Sequence, residues 1–193
     1  MSGHGKDDAV PWKFFCTSGA QSGFWTNLPV PSCWELHGFG TLNYHKDLTN
    51  AYAERGLYEH DFFVPENWSG QRISLVFDGS MTDTRAKLNG QSVGETHQGA
   101  YYRFKYEVTS LVKFGATNKL EAAVAKHSAN ASVNGAERTG DYWMYGGIFR
   151  PVYLEAVPQQ FIERVAIDAK ADGSFFAKAF LGNLTNESMS AEA

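Results

Sequence analysis

Along much of the chain, apolar and polar residues alternate with a period of two. From Arg72 to Asp78, Ile73, Leu75 and Phe77 fall on one face and Ser74 on the other, with Val76 an apolar exception. Asp78-Gly79 then marks a turn. In Thr84 to Leu88, Ala86 and Leu88 alternate with Arg85 and Lys87. Asn89-Gly90 follows, the dipeptide best suited to a two-residue hairpin, so Gln91 to Glu95 is predicted as the returning arm. Tyr102, Phe104, Tyr106 and Val108 alternate with Arg103, Lys105 and Glu107. Leu120, Ala122 and Val124 predict another strand, and Phe149 to Glu155 a further one, with Pro151 near an edge or bulge. Only Thr109 to Lys113 reads as a helical turn. Strands recurring about every ten residues, without a useful amphipathic helix, predict an all-β antiparallel sandwich or jelly roll. A parallel α/β fold would need crossover helices.

Pro158 is a natural boundary. Beyond it, Phe161 to Asp168 reads as a strand, Asp172-Gly173 as a turn and Phe175 to Leu181 as the return. Two strands do not make an independent domain. Residues 1–157 are therefore expected to form one β domain, and 158–193 the opening hairpin of a second, incomplete one.

Composition narrows the function classes. The 193 residues include Lys+Arg 17 and Asp+Glu 21, a net charge of −4, with 43% hydrophobic and 20% charged residues. Those are globular values, and the acidic balance argues against gripping a nucleic-acid backbone. No apolar run approaches the roughly 20 residues of a membrane-spanning helix. The polar start, Met1 to Asp8, lacks the apolar core of a secretory signal. A cytoplasmic location and a periplasmic or extracellular one after signal removal both stay open. The end at Asn186 to Ala193 has no cap or turn and suggests a chain cut from something longer. Cys16 and Cys33 are not spaced as a redox pair and read as two buried thiols. Asn67, Asn130, Asn183 and Asn186 each begin a glycosylation-type triplet, which matters only in a eukaryotic secretory route.

Spacing alone reveals no catalytic constellation. The acids are scattered, and no two are singled out as the close carboxylate pair of a glycosidase. His37, His97 and His127 lack metal-ligand spacing. One segment differs. Asn134 to Arg150 carries Asp141, the aromatics Tyr142, Trp143 and Tyr145, and the adjacent Gly146 and Gly147 ahead of a strand. Sugars are held by flat aromatic faces against their C–H surfaces and by carboxylates against their hydroxyls, so this loop is a candidate contact. The structural alternative makes Trp143 and Tyr145 core residues and Asp141 a turn cap. Glu137 and Arg138, just ahead of Asp141, are placed to reach an acidic or unusual sugar. Arg150 is expected to anchor the loop through a buried ion pair, and Trp34 to be core.

The series Asp141, Trp143, Gly147, Ile148 and Arg150 resembles the signature closing the first domain of glycoside hydrolase family 2, which includes β-galactosidases, β-glucuronidases and β-mannosidases. Other blocks are similar in order and spacing: Leu28 to Gly40 around Trp34, Gly56-Leu57-Tyr58 with Phe62 to Pro65, Phe77-Asp78-Gly79, Leu88-Asn89-Gly90, and His97 to Tyr101. The resemblance runs from about Trp12 to Val157, and the tail resembles the start of the family's immunoglobulin-like second domain. It implies a galactose-binding-like jelly roll that packs on a catalytic β/α barrel of the same polypeptide. The two catalytic glutamates lie in that barrel, so the resemblance places no catalytic residue in this chain. It also implies that the parent hydrolyses terminal β-linked sugars with retention, and that Asp141 borders the sugar subsite, with Trp143, Arg138 and Glu137 as further candidate contacts. In some β-galactosidases the matching aspartate touches sodium. Whether the parent takes sodium, magnesium or calcium is open, and no cofactor or metal ligand is assigned to this chain. An asparagine that some β-galactosidases contribute falls near Ala53 here, a departure from the lactose-cleaving pattern. The implied partners are carbohydrate and the barrel, with a homo-oligomer open and neither nucleic acid nor membrane expected. A free-standing carbohydrate-binding module or lectin is the alternative.

Overall fold

The structure is a computed structural model that describes residues 1–44 and 53–182. Asp47, Asn183 and Asn186 lie outside them. Among the described residues the fold is β apart from one short α-helix and two 3-10 turns at Trp34–His37 and Glu66–Trp68, as its alternation predicts. Strands β1 (Val10–Cys16), β2 (Trp25–Val30), β3 (Asn43–Tyr44), β4 (Arg55–Val64), β5 (Arg72–Phe77), β6 (Asp83–Leu88), β7 (Gln91–Ser92), β8 (Phe104–Glu107) and β9 (Ala116–Ala125) precede helix α1 (Ala131–Glu137). After it come β10 (Trp143–Met144), β11 (Val152–Val157), β12 (Phe161–Ala169) and β13 (Phe175–Gly182).

Two antiparallel sheets form the jelly-roll sandwich. The larger has the order β2-β1-β4-β9-β6-β7 and the smaller β11-β5-β8. Period-two patterning sends Trp12, Phe14 and Cys16 of β1 into the core, with Tyr58 of β4, Leu120 and Val124 of β9, and Ala86 and Leu88 of β6. Ile73, Leu75 and Phe77 of β5 meet them from the smaller sheet. Val76, the exception in the alternation, is buried on the outer side of the smaller sheet. Lys105 and Tyr153 flank it in register, and the Lys105–Glu155 pair at 3.3 Å bridges the strands on either side of β5. Asn89 and Gly90 take positive φ values of 52° and 81°, as a type I′ hairpin requires.

The structure corrects several local expectations. The returning arm of that hairpin pairs only over Gln91–Ser92. Thr109 to Lys113 does form the short helical turn expected of it, with Leu111 and Val112 N–H donating to Val108 O. The strand expected from Phe149 starts at Val152. Residues 134–137, read as part of a loop, lie in α1. Asn130 caps it by accepting from Ser132 N. Asn134 fastens it to the end of β9's run, accepting from Ser128 N at 2.9 Å and donating to Ser128 O at 2.8 Å. Both cysteines are free thiols, Cys16 buried and Cys33 half-buried, and burial raises their pKa to about 11 and about 12. Among the described residues, strands β12 and β13 pair with each other and with no other strand.

Candidate functional site

The Asp141 loop is built on a hidden ionic scaffold. Lys126 follows Val124 in phase and so points inward from the end of β9. Its Nζ lies 2.8 Å from Glu35 Oε1 and 3.4 Å from Glu54 Oε1, with all three side chains 1% exposed or less. It also donates to Thr41 O. Burying three charges carries a large desolvation cost unless the geometry saturates them with hydrogen bonds. Glu54 therefore accepts from Trp34 Nε1 at 2.8 Å and from Thr41 N at 2.8 Å. Glu35 accepts the Gly146 N–H at 3.0 Å. Burial pushes the Glu35 carboxyl above its ordinary range, against the opposing pull of Lys126.

Gly146 must be glycine because its backbone lies flat on the Trp34 indole. A Cβ there would sit 2.1 Å from that ring. Gly147 follows at φ +130°, where a Cβ would meet Ser32 O at 2.6 Å. The double glycine thus lets the loop lock onto the Trp34 segment, with Trp34 N–H donating to Gly146 O and Ser32 N–H to Ile148 O.

From that anchor the chain runs back through β10, which pairs antiparallel with β3, Trp143 opposite Tyr44 and Met144 opposite Asn43. Alternation buries Met144 and turns Trp143 outward, 46% exposed. The alternative that makes Trp143 a core residue is not met, for Met144 takes that place, and Tyr145 is half-buried. The Tyr44 and Trp143 rings lie 5.0 Å apart at 57°. Asp141 is exposed beside them, and its Oδ1 accepts a hydrogen bond from Tyr44 Oη. That bond raises the Tyr44 phenol pKa, since the donor must keep its proton. Tyr142, Tyr101 and Tyr102 are exposed as well. A carboxylate beside outward-facing rings suits hydroxyl-rich ligands with apolar C–H faces.

The other predicted contacts are held differently. Glu137 Oε2 accepts from Ala100 N at 2.8 Å, and its carbonyl accepts from Tyr142 Oη. Arg138 turns inward and is 2% exposed, with Nη1 donating to Tyr145 O at 3.1 Å. Burial lowers its pKa. Both residues brace the Asp141 loop from behind rather than extending its outward face. Arg150 makes no buried ion pair: it is exposed and donates to Tyr101 O and Asp78 O. His127 is buried beside Arg138 and Lys126, and desolvation with those two cations lowers its pKa to about 4. His97 stacks on Phe104 at 3.6 Å between ring centres. Trp34 is fully buried, as expected.

Around Asp141 the structure gives one carboxylate and one phenol, and among the described residues no three His, Cys, Asp or Glu are grouped to hold a metal ion. That donor set does not by itself make a cation cage.

Sequence reasoning missed Tyr44 and the Glu35–Lys126–Glu54 scaffold. A lysine in phase with the buried positions of β9 was the available signal for the scaffold. Tyr44 had none, because its approach depends on pairing between two-residue strands far apart in sequence.

Comparison with known proteins gives a consistent picture. The family model described as glycosyl hydrolases family 2, sugar binding domain, matches residues 21–158. A β-galactosidase of Thermoanaerobacter pseudethanolicus is 28% identical over 129 residues, covering 67% of this chain and 17% of that protein. A β-glucuronidase of Bacteroides fragilis is 28% identical over 145 residues, covering 74% and 19%. The chain thus spans under a fifth of the length of these relatives. The solved structure of Faecalibacterium prausnitzii β-glucuronidase superposes with a TM-score of 0.65 at 24% identity, covering 89% of this chain and 34% of that one, which shows the fold.

Proposed function

Since the chain belongs to glycosyl hydrolase family 2, whose sugar-binding domain it carries, we propose that it forms one wall of the sugar subsite of a retaining β-glycosidase that removes terminal β-linked sugars. The observation that carries this reading is the Asp141 carboxylate, presented to solvent beside Trp143 and fixed by Tyr44. In this reading Asp141 accepts hydrogen bonds from sugar hydroxyls, and Trp143 offers its indole face to the C–H surface. Tyr44 orients the carboxylate, and Arg138 and Glu137 brace the loop. The acid and the nucleophile come from a barrel in further polypeptide.

We also propose a domain boundary at Val157-Pro158. Ile162, Val165, Ile167, Phe175 and Phe176 of the β12–β13 hairpin are exposed. An isolated two-stranded hairpin is marginal in water. An immunoglobulin-like domain continuing from this hairpin would cover those side chains.

The test is turnover of chromogenic β-galactosides and β-glucuronides by the 193-residue chain alone. The expected result is none above the uncatalysed rate. Robust turnover that Asp141→Ala abolishes would contradict the proposed division of labour.

A further inference from the structure

The outward face of the larger sheet carries a groove whose lining includes neither Asp141 nor Trp143. Strand register sets Trp25, Phe15, Leu57, Ala123 and Arg85 in one row across five strands. Trp25 is 42% exposed at one end. Lys13 Nζ lies over one side of its ring, 4.5 Å from the centroid, so a sugar would take the remaining exposed part of the indole. Small Ala123 leaves a trough between the indole and the arginine, a hollow of about 220 Å³ bordered by Lys87 and Glu121. Arg85 and Ala123 also line a second hollow of about 360 Å³ with Arg55, Asp83, Thr96 and Gln98. The two hollows therefore adjoin.

The charges in this groove are unequal. Glu59 is already taken by Lys13 at 3.1 Å and Lys119 at 3.0 Å. Glu121 lies opposite Lys87 in register. Asp83 is buried, and its Oδ2 accepts from Ala129 N at 2.8 Å and Gln98 Nε2 at 3.2 Å. Among the described residues Arg55 and Arg85 have no carboxylate within 4 Å of their guanidinium groups. A chain of net charge −4 thus exposes, beside an indole and a small-residue floor, two guanidinium groups that no carboxylate among the described residues pairs. Guanidinium groups match carboxylate and sulfate oxygens in a bidentate fork, and an indole face suits a pyranose ring.

We propose that this groove binds an anionic glycan chain, with Trp25 stacking on one sugar and Arg85 and Arg55 holding the acidic group of the next. It shares no residue with the Asp141 site, so it would tether the protein to a polymer independently of the sugar being cleaved.

Affinity electrophoresis of the chain at physiological salt tests this with polygalacturonate, dextran sulfate and neutral dextran. Trp25→Ala, Arg85→Gln and Asp141→Ala run alongside the wild type, and circular dichroism checks that each is folded. Both groove substitutions are at exposed positions and should leave the fold intact. The expected result is retardation by an acidic polymer, weakened about tenfold by Trp25→Ala and by Arg85→Gln and unchanged by Asp141→Ala. The more strongly retarding polymer tells carboxylate from sulfate recognition. Equal retardation by neutral dextran, full retardation of Trp25→Ala, or no retardation by either acidic polymer would overturn the proposal.

Discussion

Lys126 Nζ sits 2.8 Å from Glu35 Oε1 in the interior, and that same carboxylate holds the backbone N–H of Gly146. The loop bearing Asp141 is thus tied to the core at Gly146, five residues downstream of Asp141, by a buried charge pair. Removing one partner leaves the others buried without compensation. Lys126→Met should lower unfolding free energy by about 3–5 kcal/mol, read from urea denaturation. A loss under about 1 kcal/mol would mean the scaffold is not structural.

Gly146→Ala tests the packing of the same loop. Its Cβ would enter the Trp34 ring at 2.1 Å, so either the indole or the loop must move. The expected cost is about 1–3 kcal/mol or more, seen as a lower melting temperature. An unchanged melting temperature would show that the loop is not locked there.

His127 sets a pH dependence. Its pKa falls from 6.5 to about 4 on folding. The unfolded chain therefore binds the proton more readily, and the stability this group contributes is complete above pH 6.5 and is lost as pH falls toward 4. The full loss is about 3 kcal/mol. The raised Glu35 pKa acts in the opposite sense, its contribution fading as pH rises past the ordinary carboxylate value. Urea midpoints from pH 7 to pH 4 should therefore decline less in His127→Gln than in the wild type. Parallel declines would assign the slope to other groups.

Much of the fold was legible because period two is a physical requirement of a half-buried strand. The β5, β6, β8 and β9 patterns followed from it directly, and the Asn89-Gly90 turn from its residue types. Helix α1 was not legible: its seven residues include Ser132, Asn134 and Gly135, which favour no amphipathic pattern. Its support comes from the Asn130 cap and the Asn134–Ser128 bonds, which no periodicity records. Within the site, Asp141 and Trp143 stood out as residue types and by family resemblance. The inward turn of Arg138 did not, because an arginine in a polar segment reads as solvated.

Tyr44 should matter through orientation alone. In the full-length polypeptide Tyr44→Phe removes the donor to Asp141 and keeps the ring against Trp143. The expected loss is about fivefold to tenfold in kcat/KM with little change in melting temperature. No kinetic change would detach Tyr44 from the proposed site.

The measurement closest to the central claim is kcat/KM of the full-length polypeptide on β-linked glycosides, wild type against Asp141→Asn. A carboxylate that accepts sugar hydroxyls should lose about 10-fold to 100-fold on becoming an amide, while the melting temperature stays within a degree or two. Unchanged kcat/KM in a folded Asp141→Asn enzyme would contradict the placement of Asp141 at the sugar.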